Sequence, residues 1–267
     1  VGATGCGKTT SLAAMLDYRN AEKSGHILTL EDPVEFVFQN RKSIVNQREV
    51  GTDTRAFPNA LRNALRQAPD CILIGEIRDR ETMSMALQYA QSGHLCLATL
   101  HANNSYHALN RIITFYPLEN RATLLLDLSA SLQAIVSQRL VRTKTGARKA
   151  AVEVMLNTRH ISELVEQGEI NEIKEAMEKS MAPGSQTFEQ ALFQLFIEGH
   201  ISQDEAMANA DSPTNMLWLI NQATAGEFAQ PGAKAAASDA TSTQQILSRT
   251  SPGMDFTNIK IDVTANG

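Results

Sequence analysis

This 267-residue sequence predicts an α/β fold, a mainly parallel sheet covered by helices and followed by a smaller helical unit. Three observations carry that expectation. Gly2-Ala3-Thr4-Gly5-Cys6-Gly7-Lys8-Thr9 matches G-x-x-x-x-G-K-[ST], a loop that joins a strand to a helix. Residues 1–156 alternate short apolar runs with helical patterns, as βαβ units do. From residue 157 the apolar residues recur only at helical spacing.

Taken in order, Thr9 to Arg19 reads as the helix after the loop, and His26 to Leu30 as a short strand ending in acids. Asn59 to Gln67 is helical, Cys71 to Ile74 is a buried strand, and Glu81 to Gln91 is helical again. Leu95 to Leu100 is a third strand, ending at His101. Leu109, Ile112, Ile113 and Tyr116 mark one face of a helix closed by Pro117. Ala122 to Leu140 reads as one long helix, and Ala150 to Met155 returns to strand. Residues 157–222 form the expected helical subdomain, with stripes such as Ile161, Leu164 and Val165, or Phe188, Leu192, Leu195 and Phe196. These stripes read as core-facing. The Ala-, Ser-, Thr- and Gly-rich stretch 223–267 reads as a disordered tail. The chain opens at Val1, directly before the loop, so the expectation is a chain cut just upstream of it.

Composition narrows the function classes. Hydrophobic residues make up 43% and charged residues 20%, enough for a sizeable core. A net charge of −5 with no Lys/Arg-rich run lacks the electrostatic footprint of a nucleic-acid binder. The longest apolar runs, such as Leu124-Leu125-Leu126, are far too short to span a bilayer. No signal-peptide pattern opens the chain, so a cytoplasmic protein is the expectation. Cys6, Cys71 and Cys96 lie far apart without a C-x-x-C pair, which supports neither a disulfide framework nor a zinc site.

The glycine-rich loop is the strongest chemical signal. Its glycines let the backbone curl so that successive N–H groups face a phosphate, and the following helix adds its positive end. Gly2, Thr4, Gly5, Cys6, Gly7, Lys8, Thr9 and Thr10 are therefore the candidate ATP-binding residues. Lys8 reaches the β- and γ-phosphates in such loops, and the Thr9 hydroxyl ligates Mg²⁺. A glycine turn without a ligand is the competing reading, disfavoured because a helical pattern follows directly. Cys6 reads as a small filler rather than a reactive thiol. Two acidic strand ends compete for the metal and water roles. One is Glu31-Asp32 with Glu35 just beyond, and the other is Glu76 after Cys71 to Ile74. Both deliver carboxylates to the carboxyl edge of the sheet, where open α/β sheets bind ligands. Spacing alone does not rank them. His101, at a third strand end, reads as a γ-phosphate sensor; the other five histidines read as structural.

Further motifs resemble a known family. Leu65-Arg66-Gln67-Ala68-Pro69-Asp70 through Gly75-Glu76-Ile77-Arg78-Asp79, with Glu81-Thr82, is similar to the secretion-superfamily signature L-R-x-x-P-D-x-x-x-x-G-E-x-R-D-x-E-T. Glu31-Asp32-Pro33-Val34-Glu35 resembles that family's aspartate box, and Thr99-Leu100-His101 its histidine box. Val45-Asn46-Gln47-Arg48-Glu49-Val50 resembles the stretch typical of PilT/PilU-type twitching-motility ATPases. The resemblance runs from residue 1 to about residue 221. It implies a RecA-like P-loop NTPase core over 1–156 that hydrolyses ATP with Mg²⁺ to retract type IV pili. It also implies that Glu76 is the Walker B glutamate beside Thr9 at the metal, that Glu35 activates water, and that His101 lines the nucleotide pocket. Arg66 and Arg78, and more weakly Arg111, are implied phosphate-charge stabilisers, across a subunit interface for some. Family members form homo-hexamers whose PAS-like N-terminal domains pack on the neighbouring ATPase domain, and the expectation is that residues 1–267 lack that domain.

The lack of a tetracysteine module favours retraction over pilus assembly or type II secretion. His160-Ile161-Ser162-Glu163-Leu164-Val165-Glu166-Gln167 stands where the PilT branch has A-I-R-N-L-I-R-E, keeping the apolar spacing without the arginines. That departure points to the PilU branch, an accessory to a PilT-type ATPase at the inner-membrane platform protein. A weakly catalytic, ATP-binding partner of a PilT ring is the remaining alternative. The implied location is cytoplasmic, peripheral at the inner-membrane base of the pilus.

Overall fold

Apolar side chains on both faces of the central strands decide the layering. In β1 (Gly25–Glu31) and β3 (Cys71–Ile74), Ile27, Leu28, Leu30, Cys71, Ile72 and Ile74 are fully buried. Successive side chains of a strand point to opposite faces, so such runs need cover on both sides. The computed structural model, which describes residues 1–180 and 182–224, supplies it. Helix α1 (Lys8–Glu22) sets Leu16 against Ile27, Cys71 and Leu73 on one face. On the other face Leu28, Leu30, Ile72 and Ile74 meet α2 (Phe57–Ala64) and α3 (Arg80–Gln91). The four-stranded sheet has the order β2-β1-β3-β4, all parallel, with β2 at Ser43–Glu49 and β4 at Leu95–Ala98.

Local chemistry starts the helices where the sequence places them. The Asp79 carboxylate accepts Thr82 N at 2.8 Å and caps α3. Asn104 does the same for α4 (Ser105–Thr114), accepting His107 N at 2.9 Å. A capping box of Thr187 and Gln190 opens α8 (Phe188–Ile197).

Two expectations need correction, and one strand went unread. Residues 122–140 are not one helix: α5 runs Leu118–Ser131 and β5 runs Ala134–Arg142. Strand β5 pairs antiparallel with β6 (Arg148–Leu156) from Ala134↔Leu156 to Arg142↔Arg148. Leu124, Leu128 and Ile135 fit a helical stripe, but the buried residues of β5, Ile135, Ser137 and Val141, follow the period of two. Strand β2 carries mostly polar residues at the sheet edge, so its apolar pattern carries no strand signal. Strand β4 stops at Ala98, before Thr99 and Leu100.

The later helices divide between two cores. Helices α6 (Arg159–Gln167) and α7 (Ile173–Glu178) place Ile161, Val165, Ile173 and Met177 in the core that holds Leu124 and Leu128 of α5. Helices α8, α9 (Gln203–Asn209) and α10 (Pro213–Thr224) gather Phe188, Leu192, Ala206, Met216 and Ile220 around Val141 and Ala151 of the hairpin. Ala223 and Thr224 belong to α10, and the expected tail beyond them lies outside the described residues.

One buried carboxylate joins these layers. Glu153 of β6 accepts Ser105 N at 2.7 Å and Ser137 Oγ at 2.9 Å. Burial pushes its pKa up from the ordinary 4.5, opposed by the bonds from Ser105 and Ser137. The native state then holds this proton more tightly than the unfolded chain does. Its contribution to stability is complete below pH 4.5 and is lost as pH rises through the raised folded value. Melting curves should therefore show wild type losing stability relative to Glu153→Gln as pH climbs from 4.5 to neutrality. The glutamine keeps an acceptor for Ser105 and Ser137 but cannot ionise. A constant difference across that range would contradict the burial account.

Candidate functional site

Helix α1 begins without a side-chain cap, and that opening creates the site. Its N-cap, Gly7, has φ +91°, and the first turn holds no acid. The free N–H groups and the positive helix end suit an anion. Gly7 could not be replaced cheaply, because a Cβ there would sit 2.8 Å from Gln138 Nε2 as well as at an unfavourable φ. A cavity of about 480 Å³ opens over this helix end. Thr4, Gly5, Gly7, Lys8, Thr9 and Thr10 line it, together with Glu31, Asp32, Glu35, Glu76, Arg78 and His101.

The elements around the cavity bring these groups to the carboxyl edge of the sheet. Lys8 Nζ donates to Gly2 O at 2.9 Å and Ala3 O at 3.0 Å, folded back over the loop. The Thr9 hydroxyl lies 3.4 Å from Glu35 Oε1. Past β3, Glu76 is held from two sides, by Arg78 Nε at 2.8 Å and His101 Nε2 at 3.4 Å. Arg78 Nη1 is also 3.8 Å from Asp32. Gly75 lets β3 approach β1 closely, since a Cβ there would meet Leu30 O at 3.0 Å and Glu31 Cα at 3.2 Å. Thr99 Oγ1 donates to Gly75 O and so ties the segment before His101 to the segment before Glu76.

The competing acids sort themselves by environment. Glu31 is 6% exposed and accepts Thr29 Oγ1 at 2.6 Å and Gln47 Nε2 at 3.2 Å. Burial raises its pKa above the ordinary carboxylate value, opposed by the bonds from Thr29 and Gln47. Glu35 and Glu76 are left as the carboxylates facing Thr9 and the Arg78–His101 pair.

Other expected site residues lie elsewhere. Arg66 does not reach this cavity. It sits on the 3-10 turn Leu65–Gln67, whose Gln67 O is 3.2 Å from His26 Nδ1 at the amino end of β1, the opposite edge of the sheet. Arg111, on the exposed side of α4, is absent from the lining as well. Neither arginine lines this chain's own cavity. Gly2 and Cys6 form the base of the loop. Cys6 is buried, and a Cβ on Gly2 would collide with its Sγ.

Two features carried no sequence signal. Gln138 of β5 donates through Nε2 to Cys6 O at 2.6 Å and accepts Ser11 Oγ at 2.7 Å. A second cavity of about 540 Å³ lies behind the loop, lined by Ala3, Thr4, Gly5, Cys6, Arg139, Arg142, Arg148 and Asn209 among others. The two cavities share Thr4 and Gly5. Arg139 pairs with Asp211, whereas the side chains of Arg142 and Arg148 have no ion pair among the described residues. The hairpin register sets those last two directly opposite each other.

Comparison with known proteins agrees with this architecture. The family described as type II/IV secretion system protein matches residues 1–247. The chain is 52% identical over 221 residues to the type IV pilus ATPase PilU of Pseudomonas aeruginosa, covering 82% of this chain and 58% of that protein. It is 44% identical over 214 residues to the type IV pilus retraction ATPase PilT of the same organism, covering 80% and 62%. Among solved structures, the pilus retraction motor PilT with bound ADP superposes with a TM-score of 0.77 at 41% identity, covering 82% of this chain and 62% of that one. The chain thus spans about three-fifths of the length of these relatives.

Proposed function

We propose, from the premise that this chain belongs to the type II/IV secretion system protein family, that it is an ATP-hydrolysing motor subunit for type IV pilus retraction and twitching motility. We further read it as a PilU-like accessory to a PilT-type ring. The observation that carries the catalytic reading is the convergence of Lys8, Thr9, Glu35, Glu76, Arg78 and His101 on one cavity at an uncapped helix start.

Phosphates bind the free N–H groups of the loop, with Lys8 leaving its two carbonyls to reach the β- and γ-oxygens. Base and ribose extend past Thr4 and Gly5 into the second cavity, where Arg142 and Arg148 offer flat guanidinium groups without an ion pair among the described residues. Asp32, Glu35 and Glu76 would repel a bare triphosphate, so the site calls for a divalent cation. The donor set fits Mg²⁺: a threonine hydroxyl and carboxylates are hard oxygen ligands. No cluster of three acidic, histidine or cysteine ligands is found among the described residues. Thr9 and Glu76 would hold the Mg²⁺ ion, and it would neutralise charge on the transferring phosphate. Glu35 accepts the proton of the attacking water. Arg78 and His101 hold Glu76 in place and face the γ-phosphate side.

The accessory reading rests on two supports. Identity is higher to PilU than to PilT, 52% against 44%. Helix α6 also carries Ser162 and the exposed Glu166 where the PilT motif has arginines, with Glu163, paired with Arg159 at 3.0 Å, between them. The charge of that surface is reversed, so direct coupling to the pilus machinery should be weak. Residues 157–222 then serve as the helical subdomain through which a partner hexamer is engaged, at the cytoplasmic face of the inner membrane. No described helix is long and apolar enough to cross a membrane. The expected result is Mg²⁺-dependent ATP turnover in vitro, with no pilus retraction in cells that have this protein but lack the PilT-type partner. Normal retraction in those cells would leave a self-sufficient motor as the correct reading.

A further inference from the structure

We propose that Gln138 is a positioning residue whose side-chain amide holds the phosphate loop in its phosphate-binding form. The proposal rests on the phosphate-loop reading above. The amide sits between the two ends of the turn that starts α1. Its Nε2 donates to Cys6 O at 2.6 Å, and its Oε1 accepts Ser11 Oγ at 2.7 Å. The Gln138 backbone N–H adds a bond to Val1 O at 3.1 Å, fastening β5 along the start of the loop.

Peptide geometry gives this clamp a consequence at the ligand. A trans peptide is planar, with its C=O and N–H pointing in opposite directions. Fixing the Cys6 carbonyl on Gln138 therefore turns the Gly7 N–H away from β5. Gly7 lines the candidate nucleotide cavity, so that N–H is directed to the phosphate side. The left-handed conformation of Gly7, φ +91°, belongs to the same flip. Without the amide, the 6–7 peptide is free to rotate and turn its carbonyl toward the phosphate. The Cys6 carbonyl can only accept, so it fixes which end of the amide faces it, and Ser11, near the start of α1, holds the other end in place.

Gln138→Glu separates positioning from packing. It preserves size and the acceptor for Ser11, but sets a carboxylate oxygen against Cys6 O. In the full chain, Kd and KM for ATP should rise at least ~10-fold, the scale of one well-made hydrogen bond exchanged for a repulsive contact. The turnover number should stay near wild type, because the loop binds ground and transition states alike. Inorganic tripolyphosphate, used as a probe without a base, should lose affinity by the same factor. Ser11→Ala, which removes only the bond anchoring the far end of the amide, should raise KM in the same direction by a smaller factor. ATP binding within twofold of wild type in Gln138→Glu would overturn the proposal. So would a loss confined to ATP and absent for tripolyphosphate, which would put Gln138 at the base. If Gln138→Glu fails to fold, Ser11→Ala decides, and an unchanged KM there overturns the proposal. A wild-type chain that binds neither probe overturns the phosphate-loop reading itself, whereas wild-type binding with an indifferent Gln138→Glu overturns this inference alone.

Discussion

Lys8→Ala is expected to abolish ATP hydrolysis and to weaken ATP binding by roughly 100-fold, the scale of two lost charge-assisted contacts at ~1.5 kcal/mol each. Lys8 and Arg78 are the permanent cations lining the cavity, and Arg78 is already engaged by Glu76 and Asp32. Nothing else there can supply the charge that Lys8 brings to the β- and γ-phosphates. The fold should survive, since the Lys8 ammonium bonds only to Gly2 O and Ala3 O in its own loop. Residual binding through the loop N–H groups is expected for the same reason. Calorimetric titration with ATP, phosphate release and a melting curve measure all three quantities. Undiminished hydrolysis in this variant would remove the basis for the phosphate-loop assignment.

Glu35→Gln should give the other large effect, a turnover at least ~100-fold lower with ATP binding retained, as expected for loss of a general base. The amide keeps the shape of the side chain and an acceptor for Thr9 Oγ1, now 3.4 Å from Glu35 Oε1. It has no basic oxygen to take the proton from water. Glu76→Gln should also be slow, but with a changed Mg²⁺ requirement, and it should loosen Arg78 and His101, which Glu76 holds. Binding and single-turnover measurements across a Mg²⁺ series separate the two roles. Hydrolysis by Glu35→Gln at the parent rate would reassign the base.

Arg66, Glu31 and β5 mark where sequence reasoning runs short. Arg66 stands ten residues before Glu76 in one motif, yet the motif crosses the sheet along β3, which carries its two ends to opposite edges. Glu31 and Glu35 belong to one acidic run and are not distinguishable by type. Only the bonds from Thr29 and Gln47 and the burial they accompany set Glu31 apart from Glu35. Strand β5 was hidden because Leu124, Leu128 and Ile135 satisfy a helical stripe, while the pairing with β6 that makes it a strand lies across the turn at residues 143–147.

By itself the sequence determined the phosphate loop, the helix after it, strands β1 and β3, and the identity of the acids and histidine at the sheet edge. All of these depend on neighbours in the chain: glycines where φ turns positive, apolar runs of strand length, caps at helix starts. Tertiary structure alone decided which of those acids face Thr9, that Arg66 leaves the pocket, and that a second cavity continues behind the loop. It alone placed Gln138, bonded to Cys6 from 132 positions away. No local pattern encodes such a contact, because it exists only after the β5–β6 hairpin has packed against the loop.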